Sequence, residues 1–276
     1  DEYPEDPTAL QLRARAQQQV SRLAEELGCA AEVRGDRLVL RVVVDNPNTS
    51  PLSALLTHKP GFVSWVQPKC PHDALIRSEG SKIVVVDGDG RRLAKPIPAG
   101  QLAAKEYSAR VNRLLEARYV AALLRDPEPP RGAEPLELEL DWRTDRSGYR
   151  LRVSPVEDNL AVFVVDAVGD LTLVCPQTLG EPPASRGAWL DCGSRDVRRA
   201  AGIEHVIALR TDQPWRPLLE KTLGRDVRGE ERLTRSSDGG ATEAIEVARA
   251  IREHLLAASG FRRGATSYDT LAGPGE

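Results

Sequence analysis

Residues 126–142 read DPEPPRGAEPLELELDW. Pro127, Pro129 and Pro130 cannot continue a helix and stiffen the chain into a joint. From Leu136 the pattern alternates: Leu136, Leu138, Leu140 and Trp142 face one way, Glu137, Glu139 and Asp141 the other. Period two of this kind predicts a half-buried strand. Upstream of the joint, residues 102–125 carry helical spacing, with Val111, Leu114, Leu115, Arg118 and Ala122 on one side. Arg118 can lay its aliphatic stem on that side and keep its head in solvent. Downstream, period two continues in GYRLRVS (148–154), LAVFVVD (160–166), DLTLVC (170–175), GAWLDC (187–192) and HVIALRT (205–211). Short strands with turn-sized gaps, such as Val168-Gly169-Asp170, predict an antiparallel β-sandwich.

The rest of the chain is read outward from that joint. Residues 8–27 have helical spacing in Ala16, Val20, Leu23, Ala24 and Leu27, with Gly28 as the stop. Residues 30–34 and 37–45 read as a hairpin around Gly35-Asp36. Residues 46–75 are loop-like, broken by one apolar island, FVSWV (62–66). A second hairpin joins SKIVVVD (81–87) to RRLAKPI (91–97). Beyond 211 we expect a short helix over 217–222, a mobile charged loop over 223–240 and a helix over 241–258. The fold class is therefore α+β. A small α/β N-terminal domain (1–126, two helices and two hairpins) precedes an antiparallel β-sandwich with a C-terminal helix (127–260). A flexible tail (261–276) follows.

Composition narrows the function classes. The 276 residues carry 38 Lys and Arg against 41 Asp and Glu, a net charge of −3, so the basic excess of a nucleic-acid binder is missing. No apolar run reaches the length of a membrane span. Cys29, Cys70, Cys175 and Cys192 fall two in each half. Pairing as Cys29–Cys70 and Cys175–Cys192 suits an oxidising compartment; four half-buried thiols suit a reducing one. The compartment is accordingly open between cytoplasm and a periplasmic or secreted setting. There is no methionine, and the sequence begins at Asp1. This predicts either removal of a signal peptide or separation from a longer polypeptide.

No complete catalytic motif is present. Asp87-Gly88-Asp89-Gly90 starts like a calcium loop, but Arg91 and Pro98 occupy positions that need oxygen ligands, so a hairpin turn is the reading. Cys70 with His72 lacks the further groups a thiol nucleophile needs. His205 and His254 have no second ligand at metal spacing, and no cofactor or metal set is expected. Trp65, Trp142, Trp189 and Trp215 stand out in a chain only 4% aromatic. They read first as core anchors, with Trp65, Trp189 and Trp215 as candidates for a partner-binding patch.

SKIVVVDGDGRRLAKPI, the helix VNRLLEARYVAALL, the Pro-rich joint and PLELELDW together resemble the region downstream of the peptidase domain in bacterial caspase-like proteins. There an Arg-Tyr pair and a Leu pair on one helix, here Arg118-Tyr119 and Leu123-Leu124, lead into a strand-rich domain. LAVFVVDAVGDLTLVCP and GIEHVIALRTDQPW look like that domain, and the resemblance covers residues 80–215. The His-Gly and strand-end Cys patterns of such peptidases are missing from this sequence, so no catalytic residue is carried over. The resemblance implies a non-catalytic regulatory or interaction portion of a caspase-like cysteine peptidase. Its partner would be a protein, its processing proteolytic, and its setting antiviral defence or cell death. Of the two causes of the missing methionine, it favours separation from a peptidase domain. The alternative is a secreted, disulfide-containing binding protein.

Overall fold

β-branched residues dominate 40–44, and this stretch becomes β1 (Leu40–Val44), an interior strand of a five-stranded sheet. β2 (Val63–Val66) runs parallel to it, with Leu40 opposite Val63. β3 (Ala74–Glu79) lies parallel on its other side. Gly80, at φ +60°, turns β3 into β4 (Lys82–Asp87), and β5 (Ile97–Pro98) completes the order β2-β1-β3-β4-β5. A computed structural model describes residues 38–45, 52, 55–56, 60–98, 104–145, 147–154, 158–178, 189–196, 202–234 and 241–269 of the chain. The expected helix over 8–27 and the first arm of the 30–45 hairpin lie outside these.

The joint is preceded by α1 (Ala104–Arg125) and followed by β6 (Glu137–Trp142) and β7 (Gly148–Ser154). Then come β8 (Leu160–Val165), β9 (Leu171–Thr178), β10 (Leu190–Asp196) and β11 (Ile203–Thr211). α2 (Trp215–Leu223), β12 (Gly229–Arg232), α3 (Ala241–Ala257) and β13 (Phe261–Asp269) complete the described elements. The strands form a three-stranded sheet, β10-β7-β6, and a five-stranded sheet, β12-β9-β8-β11-β13, with every pairing antiparallel. The protein is α+β, with a sheet-rich core.

The alternation of β8 explains the layering. Leu160, Val162 and Val164 share an apolar layer with Tyr149, Leu151 and Val153 of the three-stranded sheet. Ala161, Phe163 and Val165 face the opposite way, into a second core shared with the helices and the N-terminal sheet. A strand buried on both faces reads as a continuous apolar run, as LAVFVV does. That second core is continuous across the Pro-rich joint: it joins Val42, Ile76 and Ile83 to Leu115, Leu124, Phe163 and Ile207. α1 is the strut between the sheets. On one side, Tyr119 stacks on Phe62 at 4.8 Å and its hydroxyl donates to the Leu38 carbonyl at 2.8 Å. On the other, α1 touches β8, β11 and α3. A helix between two sheets must be apolar nearly all round, so Tyr119, Val120, Leu123 and Leu124 are buried beside Val111, Leu114 and Leu115.

Four readings are corrected. β1 has parallel neighbours on both sides, β2 and β3, so it is not an arm of a 30–45 hairpin. The loop expected over 46–75 holds β2 and the start of β3. Its prolines flank 63–66 and leave those backbone N–H groups free to pair. The mobile loop expected over 223–240 contains β12, held by backbone pairing to the edge of β9. The flexible tail expected from 261 begins with nine residues of strand: β13 pairs with β11 from Phe261–Thr211 to Asp269–Ile203. Two adjacent arginines and a glycine break its apolar alternation, so the strand is fixed by its partner, not by its own pattern.

Candidate functional site

Each residue singled out by sequence has a distinct fate. Cys175 on β9 and Cys192 on β10 are disulfide-bonded, a staple between the two packed sheets, with Cα atoms 5.3 Å apart. Cys70 is buried and also disulfide-bonded; the expected partner, Cys29, lies outside the described residues. His72 places its Nδ1 3.0 Å from the Cys70 carbonyl oxygen, not at the sulfur. With its sulfur in a disulfide, Cys70 offers no thiolate nucleophile.

The tryptophans separate by burial. Trp215 is 1% exposed, donates from Nε1 to the Asn159 carbonyl at 2.7 Å, and meets Phe163 edge-on at 5.8 Å. Trp215 is therefore not a residue of the partner-binding patch for which it was a candidate: it is a core anchor whose polar handle is satisfied. Trp65 is half-buried against the main core, and its indole N–H is buried without a hydrogen-bond partner. Trp142 packs on Tyr149 and Tyr268 at about 5 Å each. Those two hydroxyls lie 2.9 Å apart, and Tyr268 also donates to Glu204, a buried carboxylate. Burial pushes Tyr149 up to about 12 and pushes Tyr268 up as well, so both phenols stay protonated and the network is structural.

Trp189 alone of the four is exposed, at 40%. The Arg152 guanidinium lies over its ring at 5.7 Å and bonds Glu139 at 2.7 Å. Arg150 pairs with Asp191 and stands opposite Asp141. The open face of the three-stranded sheet is therefore a lattice of paired charges with one indole at its margin. Paired exposed charges contribute little stability, so what this face offers is shape, hydrogen-bonding capacity and one aromatic anchor.

One buried carboxylate titrates near neutrality. Glu116 of α1 is 6% exposed; burial pushes it up to about 7, Arg113 opposes this, and Asp170 adds to it. A carboxyl raised in the folded state contributes stability that is present below its unfolded value and lost as pH rises through 7. Glu116→Gln is expected to be about 1–2 kcal/mol more stable than the parent at pH 8, after allowance for solvent screening, and close to it at about pH 4. Paired urea unfolding curves at the two pH values check this. Taking the difference removes the opposite trend of His205, which burial and the nearby arginines hold at about 3 and which favours the fold only as pH rises. A gap that does not change with pH would remove the assignment.

Among the described residues no group of three or more His, Cys, Asp or Glu side chains is placed to hold a metal ion, and no helix is long and apolar enough to cross a membrane. Comparison with models of known families, with curated proteins and with solved structures finds no match.

Proposed function

We propose that this chain is a protein-interaction module, the non-catalytic regulatory portion of a bacterial caspase-like cysteine peptidase. The observation that carries an interaction role is the exposed Trp189–Arg152 pair on an ordered sheet face. Trp and Arg are the residue types most enriched where few side chains supply most of a binding energy. The link to a peptidase rests on the resemblance over 80–215. It is supported by the place of Arg118-Tyr119 and Leu123-Leu124 on the strut α1, which ties that region into one core. The module would hold the peptidase inactive or receive its activating partner. The test is to read the gene around this segment and to mix the chain with the peptidase domain encoded there, following a fluorogenic peptide. A saturable change in rate is expected. Trp189→Ala should weaken it by about 2 kcal/mol, roughly thirtyfold in affinity. A gene or operon with no peptidase domain, or a rate untouched by the chain, sinks the proposal.

A second reading is favoured by the cysteines: a secreted or periplasmic binding protein held by disulfides. It shifts the expected compartment away from the cytoplasm. Thiol titration of the unfolded, unreduced native protein decides between the settings. No free thiol is the expected result, and four free thiols would overturn it.

A further inference from the structure

The last turns of α1 and the edge strand β13 enclose a solvent-open cavity of about 390 Å³, lined by Arg125, Arg263, Ala265, Thr266 and Ser267. Arg118 lies two turns before Arg125, on the same side of the helix. Both lining guanidiniums are bonded to carbonyls, which carry no net charge. Arg125 Nη2 donates to the Thr266 carbonyl at 3.2 Å, and Arg263 Nη1 donates to the carbonyls of Arg125 and Pro127. Arg125 Nε is buried with no hydrogen-bond partner. The carboxylates of Asp126 and Glu128 act on Arg263 at a distance, and Asp126 is held by Arg252 at 2.6 Å. Burial and the charges of Arg118, Arg263 and Arg91 push Arg125 down to about 10, so it remains a cation crowded by cations. Behind Ser267, His205 is 2% exposed and its Nδ1 has no partner.

The second observation is the backbone. Leu136 N–H donates to the Arg263 carbonyl at 3.1 Å from the side away from β11. Antiparallel alternation then turns the N–H and C=O groups of Ala265 and Ser267 outward as well. Among the described residues no backbone group pairs with them on that edge. A row of free ladder groups beside guanidiniums that are bonded to carbonyls suits an extended chain with carboxylates on alternate residues.

We propose that this groove binds an acidic peptide in extended conformation, which adds as a strand beside Ala265–Ser267 and sets carboxylates against Arg125 and Arg263. The inference shares with the proposed function only the premise that the chain binds proteins. The peptide assay contains no peptidase, so the two fail separately.

The test is fluorescence anisotropy of a labelled peptide of alternating Glu and Thr, titrated with the whole chain. Binding that weakens with salt is expected, and the matching Gln–Thr peptide should bind roughly tenfold or more weakly. Arg125→Gln removes the cation, and Ala265→Pro removes an outward donor at an edge position where proline is tolerated. Each should cost roughly tenfold in affinity. Ala265→Glu places a carboxylate on an exposed side chain, leaves the core untouched, and should abolish binding even where the other variants fail to fold. Equal binding of the Gln–Thr peptide, unchanged affinity in Ala265→Pro or Ala265→Glu, or full displacement by inorganic phosphate would each overturn the proposal, the last by reducing the site to a simple oxyanion pocket.

Discussion

Gly202→Ala is expected to cost about 3 kcal/mol or more, a large share of the roughly 5–15 kcal/mol that holds a typical domain folded. Gly202 has φ +122°, a conformation that L side chains rarely adopt. A methyl group there would overlap the carbonyl oxygen of Leu93 and crowd Ala167. Leu93 is held on both sides: its carbonyl accepts from Ile203 N–H, the first residue of β11, and its N–H donates to the Val85 carbonyl. The glycine thus sits where the N-terminal sheet is clasped to the central one. Gly224→Ala is the control. It too has positive φ, but open space surrounds it, and about 1 kcal/mol is expected. Urea denaturation of both variants checks the contrast. Similar small losses at the two glycines would mean that the clasp at Leu93 is not tight.

Trp215→Ala comes next in size, at about 3–5 kcal/mol, the usual cost of removing a large buried aromatic side chain. The indole fills the corner between β8, α2 and α3, with Phe163 on one side and His254 at 5.1 Å on another. Trp215→Phe separates the two roles of the ring. It keeps most of the packing but removes one of the two donors to the carbonyl of Asn159, which also accepts from Thr211 N–H at 3.4 Å, and about 1 kcal/mol is expected. Denaturant midpoints of the two variants measure both. A loss below about 1 kcal/mol for Trp215→Ala would return the residue to the partner-binding patch for which its sequence made it a candidate.

How far the sequence could be read follows from where each segment's order comes from. PLELELDW and GYRLRVS bury one face and expose the other, so their alternation is visible and their pairing follows. The helix before the joint was legible from Val111, Leu114 and Leu115, but not its second buried face. Tyr119, Val120 and Leu123 fill that face, because nothing in the local spacing says that sheets lie on both sides. β12 (GEER) and β13 (FRRGATSYD) owe their conformation to backbone pairing with β9 and β11 and lack apolar periodicity to announce it. The parallel pairing of β1 with β2 and β3 is likewise a tertiary decision. Of the candidate site, the tryptophans were visible as a set, but their sorting into Trp215 inside and Trp189 outside required the fold. The arginine groove was beyond reach, since Arg125 and Arg263 come from opposite ends of the folded half and meet only across the sheet edge.

The lateness of β13 constrains biosynthesis. β11 is almost wholly buried and needs β8 on one flank and β13 on the other. About 50 residues separate Thr211 from its partner Phe261, and at roughly 5–20 residues per second the ribosome takes several seconds to make them. During that interval HVIALRT is a nascent apolar strand with one open flank, and the core shared with the N-terminal sheet lacks a wall. The first sheet therefore gains its full support only after Phe261 and the strand it begins have been made. Premature termination anywhere before Phe261 should yield an aggregating product, not a shortened but folded one.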